Sequence, residues 1–413
     1  MKNKILVDRI LGLPLVYLLN AMARLLGFFL RIDHDLQRPC KTIAISKFVG
    51  MGSIVQSVAL LKTLRKNFPH ARIVFITKES NRSLFAFIPE VDEVFGITDS
   101  HFLSLLISNV KILFRLWKNK PDVYIDLEIH SNYSSILSTL SMSRNRMGFF
   151  KDDKTYRKGI YTHMLFFNMK SAISETYLQF ARLLSCKEII SEIYLPLSDA
   201  NISDVLAIFR KSGLPEIVGP YILINANASD LRLERRWPEA RVVELVKLLT
   251  ADFPGYSMVL MGDKQEMAYI HGISKQFSAY PQVIDASGKW SLSELMVCIQ
   301  NAALLLTNDT GPMHLAFALK APVVSLFGPC SPQQYGGREK SIAIYKNVYC
   351  SPCVHDFLIP PCQGDNQCMK KIQVEEVREA VHKGLQADFN VYSNDMQYLS
   401  DSSQALGVIS RSK

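Results

Sequence analysis

Little in this sequence supports a disulfide-stapled scaffold. The chain holds eight cysteines in 413 residues, and four of them crowd between Cys350 and Cys368, so no disulfide framework spreads across it. A secretory leader is missing as well. Ile10 to Leu30 is apolar but lacks the small-residue cleavage pattern, and the expectation is a cytosolic catalytic body. Acid is in modest deficit, 38 Asp and Glu against 47 Lys and Arg, a formal charge of +9. That balance suits a nucleoside diphosphate or an anionic lipid surface, and equally an ordinary solvated surface. With 48% hydrophobic and 21% charged residues, the chain is neither disordered nor membrane-spanning throughout. No short repeat is present, which excludes a solenoid.

What is present is length enough for two hydrophobic cores. It is preceded by an unusual N-terminal stretch. Tyr17, Asn20, Arg24, Gly27 and Arg31 fall alternately three and four apart and form one narrow polar stripe on a helix. Leu15, Leu18, Leu19, Met22, Leu25, Leu26 and Phe29 cover the rest. An arginine at mid-depth argues against a simple span. The pattern predicts an amphipathic helix associated with the membrane surface over residues 1–36; the competing reading is a helix buried against the protein's own core.

After Pro39 the periodicity becomes that of an α/β chain. Buried strands are expected at Thr42–Lys47, Arg72–Thr77, Val91–Ile97 and Asp122–Leu127, with helices over Ile54–Phe68 and His101–Trp117 between them. The rhythm weakens from Phe150 to Leu197. It resumes with strands at Tyr221–Asn225, Ser257–Met261, near Val283, Leu304–Thr307 and Val323–Phe327, and ends in an amphipathic segment, Val374–Ala387. This is the pattern of two doubly wound, Rossmann-like domains, 37–197 and 198–387, with a polar tail over 388–413. Ligands of such sheets bind at the carboxyl ends of the strands, so a cleft between the two domains is the expected site.

The glycine turn Gly50-Met51-Gly52 is too incomplete to be a dinucleotide fingerprint: the third glycine is missing. A nicotinamide or flavin cofactor is not expected. The segment Thr307–Gly328, TNDTGPMHLAFALKAPVVSLFG, is more informative. A buried strand runs into Asn308-Asp309, Thr310-Gly311 opens a helix, and Pro312 occupies its first turn. Such a helix start can hold phosphate on its backbone N–H groups. Alternatively, Asp309 and Thr310 simply cap the helix.

This segment resembles the signature of glycosyltransferase family 9, the lipopolysaccharide heptosyltransferases, of the form T-N-D-[ST]-G-P-x-H-[LI]-A. Upstream, KTIAISKFVGMGSIVQSVALLKTLRKNFPHARIVFIT, DVYIDLEIHSNYSSIL, NANASDLRLERRWPEARVVEL and GDKQEMAYI resemble further segments of that family, in order, over roughly Lys41 to Ile372. The resemblance implies a GT-B fold and inverting transfer without a catalytic metal. The first domain would take a lipid-linked saccharide acceptor and the second a nucleoside-diphosphate sugar, usually ADP-heptose. By position, Asp309, Thr310, Gly311 and His314 would hold the sugar and diphosphate. Asn227 and Ser229 would donate to phosphate oxygens. Arg235 or Arg236 would neutralise the leaving group. Glu266, after Gly262, would meet the nucleoside ribose.

One departure touches the chemistry. The family commonly carries Asp directly after the glycine turn as general base, and this chain has Ser53. A serine hydroxyl is no base at ordinary pH. The expected replacement is Glu128 or Asp126 at a neighbouring strand end, with His130 behind them and Ser53 orienting the acceptor. Loss of catalysis, leaving a sugar-nucleotide-binding membrane scaffold, is the competing reading, and a GT-B-like nucleotide-sugar epimerase is a third. Cys350-x2-Cys353-x8-Cys362-x5-Cys368 offers four sulfurs for a structural zinc, or else four reduced thiols. No nucleic-acid partner is expected. The protein should be cytoplasmic, peripherally attached to the inner face of the cytoplasmic membrane.

Overall fold

The computed structural model describes residues 8–129, 131–151, 157–197, 200–228, 232–354, 357 and 360–387. The chain divides into two compact units, Met1–Leu195 and Pro196–Lys413. Each is built on one six-stranded, all-parallel sheet.

In the first unit the strands are β1 (Thr42–Ser46), β2 (Arg72–Lys78), β3 (Glu93–Ile97), β4 (Val123–Asp126), β5 (Asn145–Phe150) and β6 (His163–Phe166), in the order β3-β2-β1-β4-β5-β6. In the second they are β7 (Tyr221–Asn225), β8 (Ser257–Leu260), β9 (Val283–Asp285), β10 (Leu304–Asn308), β11 (Val323–Phe327) and β12 (Ser341–Tyr345), in the order β12-β11-β10-β7-β8-β9. Counted from its own first strand, each sheet therefore runs 3-2-1-4-5-6. The order reverses between β1 and β4 in one unit and between β7 and β10 in the other. A crevice opens at the carboxyl ends of strands that flank such a reversal, because their following connections leave to opposite faces.

Continuous apolar runs such as Ile43-Ala44-Ile45 and Leu304-Leu305-Leu306 are fully or almost fully buried, as expected for parallel strands covered on both faces. In the second unit, helix Val374–Leu385 seals one face with Val377 and Val381 against Leu304 and Val324. The helix expected over Ile54–Phe68 is instead two, Met51–Gln56 and Val58–Asn67. They meet at Ser57, whose hydroxyl donates to the Ile54 carbonyl at 2.7 Å.

The N-terminal helix, Leu13–Leu30, docks on the first unit with the opposite polarity to a core helix. Within its polar stripe Asn20 is buried against the protein, whereas Tyr17, Arg24 and Arg31 stay exposed. Asn20 Nδ2 and Arg24 Nη2 both donate to the Lys158 carbonyl, at 3.0 and 2.7 Å, and Val16 packs with Ile160 and Tyr161. Twelve large apolar residues from Ile10 to Ile32 remain more than 40% exposed. The burial reading is thus excluded, and of the stripe Asn20 and Arg24 make the contact with the protein. The segment Ile10–Leu30 is long and apolar enough to cross a membrane by length and composition, and only 17% of it is buried.

Candidate functional site

At the reversal point of the first sheet, β1 delivers Lys47 and β4 delivers Asp126 and Glu128. Lys47 Nζ lies 2.9 Å from Glu128 Oε2, and both side chains are about nine-tenths buried. Glu128 Oε1 accepts the backbone N–H groups of Phe48 at 2.8 Å and Val49 at 3.0 Å. Burial acts to raise the Glu128 carboxyl. The Lys47 ammonium and the two N–H groups outweigh it and hold the carboxyl below its ordinary value. Asp126 is wholly enclosed. It accepts Ser46 Oγ at 3.1 Å, the Glu128 N–H at 3.0 Å and Tyr161 Oη at 2.5 Å. Burial raises its carboxyl despite these donors. Tyr161 reaches Asp126 only because Gly148 lies beneath its ring, where a Cβ would come within 2.7 Å of ring carbons. Ser53 is half-buried and within hydrogen-bond reach of the buried Tyr177 hydroxyl. His130 lies outside the described residues. The two carboxylates are therefore not equivalent. Glu128 is a buried ion held at the strand end by Lys47 and two backbone N–H groups, and Asp126 fastens β1, β4 and Tyr161 together from within.

The reversal point of the second sheet gathers most of the remaining candidates. Asn225, ending β7, donates to Thr307 Oγ1 at 2.9 Å and Thr310 Oγ1 at 2.8 Å. Asn308 donates to the carbonyls of Ala226 and Asn227 at 3.1 and 3.0 Å. These amides bind the ends of β7 and β10 into one rigid floor. Helix Gly311–Ala318 begins on it, and its N-cap residue Thr310 makes no side-chain capping hydrogen bond. The simple capping reading is thus not what the structure shows. Arg235 crosses to this floor, donating from Nη1 to the Asp309 carbonyl at 3.2 Å, with Nε 3.8 Å from Asp309 Oδ2. His314 Nε2 is 4.0 Å from Asp309 Oδ1. Burial, assisted by Arg235 and Arg338 and opposed by Asp309, pushes the His314 imidazole down to about 4. It is neutral at physiological pH.

Five buried polar atoms here have no hydrogen-bond partner among the described residues: Asn227 Nδ2, Arg235 Nε, Arg236 Nε, Asn308 Oδ1 and Asp309 Oδ2. Leaving such an atom unmade costs roughly 1–3 kcal/mol, so their concentration at one strand-end crevice marks a place built for a polar ligand. Beside them, Arg236 lies over the Tyr269 ring, 4.3 Å from its centroid. Glu266 folds against Gly262, where a Cβ would come within 3.2 Å of its carboxylate. Burial raises the Glu266 carboxyl, with Asn227 and Arg236 acting in the opposite direction. Ser229 lies outside the described residues.

The sequence reading overlooked Lys47, Tyr161 and Cys330. Lys47 stood in plain view as the residue ending TIAISK. Cys330 is fully buried beside Arg235 and Asp309, and nothing in its sequence context set it apart from the later cysteines. For those four the sequence leaves a structural zinc and four reduced thiols both open. Among the described residues no three His, Cys, Asp or Glu are grouped to hold a metal, and every cysteine is a free thiol. Cys353 and Cys368 are buried while Cys350 and Cys362 are half-exposed. Burial first, and the neighbouring thiols after it, push Cys353 and Cys368 up to about 11.

Paired parallel α/β units of this order, one carrying an arginine and an open helix start at its reversal point, define a GT-B fold. Residues 111–358 match the profile of glycosyltransferase family 9 (heptosyltransferase). A lipopolysaccharide heptosyltransferase 1 from Campylobacter coli is 25% identical over 295 residues, 69% of this chain and 83% of the relative. Among solved structures, a family 9 glycosyltransferase from Veillonella parvula is similar with a TM-score of 0.68 at 20% identity, covering 84% of this chain and 97% of that one. E. coli ADP-heptose lipopolysaccharide heptosyltransferase II gives 0.67 at 21%, covering 84% and 98%. The chain belongs to glycosyltransferase family 9 and is a glycosyltransferase.

Proposed function

We propose that this enzyme transfers a heptose-like sugar, with inversion, from a nucleoside diphosphate to a lipopolysaccharide-core or other lipid-linked saccharide at the cytoplasmic face of the membrane. The carrying observation is the cluster of buried polar atoms around Arg235 and Asp309 that make no hydrogen bond among the described residues, at the start of helix Gly311–Ala318. A diphosphate suits it. Its oxygens accept from the guanidinium and from the first-turn N–H groups, and Asp309 accepts from sugar hydroxyls. ADP is the favoured carrier, from the ADP-heptose of the E. coli relative.

In the transfer, the acceptor oxygen bonds to the anomeric carbon as the bond from that carbon to the phosphate oxygen breaks. The electron pair leaves with the diphosphate. Arg235 and the helix start stabilise the charge that builds there, without a resident metal. Glu128, ionised across the neutral range, takes the acceptor proton, and Ser53 orients the hydroxyl. Glu266 meets the ribose, and Asn227 and Ser229 supply donors to the phosphates. The outward apolar face of helix Leu13–Leu30 keeps the enzyme at the membrane.

The test is incubation of purified protein with a panel of nucleoside-diphosphate sugars, following binding and nucleotide release. One donor should bind, and acceptor should trigger release. Glu128→Gln should keep binding and lose acceptor-dependent release. Binding without turnover would favour the scaffold reading that Ser53 raises. Turnover of the nucleotide sugar without any acceptor would favour the epimerase.

A further inference from the structure

Helix Phe102–Lys118 of the first unit carries more apolar surface than that unit covers. At 3.6 residues per turn its side chains sort into three adjoining sectors. One, with Leu105, Ile112, Leu113 and Leu116, packs on the sheet. The second holds Leu103, Leu106, Ile107, Val110, Phe114 and Trp117, which are between 42% and 64% exposed, with Phe102 at the helix start 82% exposed. The third is polar and basic: Ser104, Ser108, Lys111, Arg115 and Lys118. From Ser100 to Lys120 the sequence contains four Lys and Arg and no Asp or Glu.

The basic sector lines a surface hollow of about 380 Å³, where Arg82, Lys111 and Arg115 meet the hydroxyls of Thr98, Ser104 and Ser108. The nearby acids are spoken for. Glu79 pairs with Arg82 at 3.3 Å and Asp99 with Lys78 at 2.9 Å. Arg115 lies over the Phe95 ring, 5.2 Å from its centroid, and no described carboxylate pairs with it or with Lys111.

This helix also joins the N-terminal one. Helix Asn132–Leu140 bridges them. At one end Asp8 accepts the N–H groups of Asn132 and Tyr133 at 2.9 and 2.7 Å, and Ile136 packs against the cluster that holds Val16. On the other side Tyr133 Oη donates to Asn109 Oδ1 at 2.7 Å and Trp117 Nε1 to the Leu140 carbonyl at 2.8 Å.

We propose that helix Phe102–Lys118 is a second membrane-contact element, laying its outward apolar sector into the acyl boundary of the bilayer and its basic hollow against the phosphates of anionic phospholipids. The inference rests on the membrane reading of helix Leu13–Leu30 and extends that contact across the helix between them. An apolar face bordered by lysine and arginine is the composition of an interfacial helix, and a positive hollow at headgroup level complements an anionic leaflet.

The experiment is flotation of the purified full-length protein with phosphatidylcholine vesicles, with and without phosphatidylglycerol, across a salt series. Wild type should float with the anionic vesicles. Leu106→Glu/Phe114→Glu should lower the partition at least about tenfold. Lys111→Ala/Arg115→Ala should lower it by a similar factor on anionic vesicles only, and flatten its salt dependence. The milder Leu106→Ser/Phe114→Ser pair, checked for an unchanged melting curve, guards against misfolding and should shift partition in the same direction. If all three variants float like wild type while Leu25→Glu/Phe29→Glu does not, the N-terminal helix docks alone and this proposal falls. If wild type ignores both vesicle types, the membrane reading falls with it. If wild type instead forms a dimer that Phe114→Glu dissolves, the sector is a contact between copies of this chain.

Discussion

At the scale of single residues, the charged groups divide by what surrounds them. Lys47 and Glu128 form a buried pair whose removal in halves is costly. Lys47→Met should leave an uncompensated carboxylate, lower the melting temperature, and move the acid limb of the pH–rate profile upward as the Glu128 carboxyl loses its ammonium. The sign is fixed by the lowered carboxyl. Its stabilising contribution is complete above the ordinary value of 4.5 and is lost as pH falls through the lower folded value. An acid limb unmoved in Lys47→Met would show that Glu128 is not the base. Asp309→Ala removes the anchor of both Arg235 and His314, and should weaken donor binding by about tenfold or more in calorimetry. His314 is already neutral above about 4, so donor affinity should carry no histidine titration between about pH 5.5 and 8. The donor-side residues were legible because TNDTGP and RRWP are contiguous in the chain. Tyr161 was not. Its role depends on a β5 glycine and on Asp126, 35 residues away, and no local pattern encodes that meeting.

Among the elements, strands that are apolar throughout announced themselves. TIAIS, YILIN, LLLTN and VVSLF lie within a residue or so of their expected bounds. Strands missed are those that pair on one side with a short neighbour or carry polar ends. β5 is NRMGFF, β6 is HMLF with every residue at least partly exposed, and β12 follows a loop that broke the rhythm. The closing helix Val374–Leu385 is held to helix Glu239–Asp252 by one carboxylate. Arg378 grips Asp252 in bidentate fashion, at 2.7 Å on each oxygen, and His382 adds a contact at 2.9 Å. Arg378 leads in drawing the Asp252 carboxyl down to about 2. Its contribution is therefore present above the ordinary value of 3.8 and fades as pH drops through about 2. Asp252→Asn should cost roughly 2 kcal/mol at neutral pH and almost nothing near pH 2. A denaturant titration at the two pH values reads the difference.

For the whole molecule, one strand order is used twice, and the residues singled out for chemistry lie at the two points where it reverses or beside them. The βαβ rhythm made that division visible, and the order within each sheet emerged only from the pairing. The N-terminal helix inverts the usual economy of a soluble fold. Its outward apolar side chains leave on the order of 10 kcal/mol of burial unrealised. Leu18→Glu/Leu25→Glu/Phe29→Glu should therefore release the enzyme from membranes in fractionation while leaving donor binding unchanged. Retention at the membrane by that variant would refute the anchoring role.

The hydrogen bond from Asn20 to the Lys158 carbonyl spans 138 residues. A ribosome adding about 5–20 residues per second needs roughly 7 to 28 seconds to supply that partner. Throughout that interval the greasy helix is already made while its docking site is still unmade. Until then nothing on the chain can cover the Lys158-facing side of the helix, and whatever first covers it must come from outside the fold.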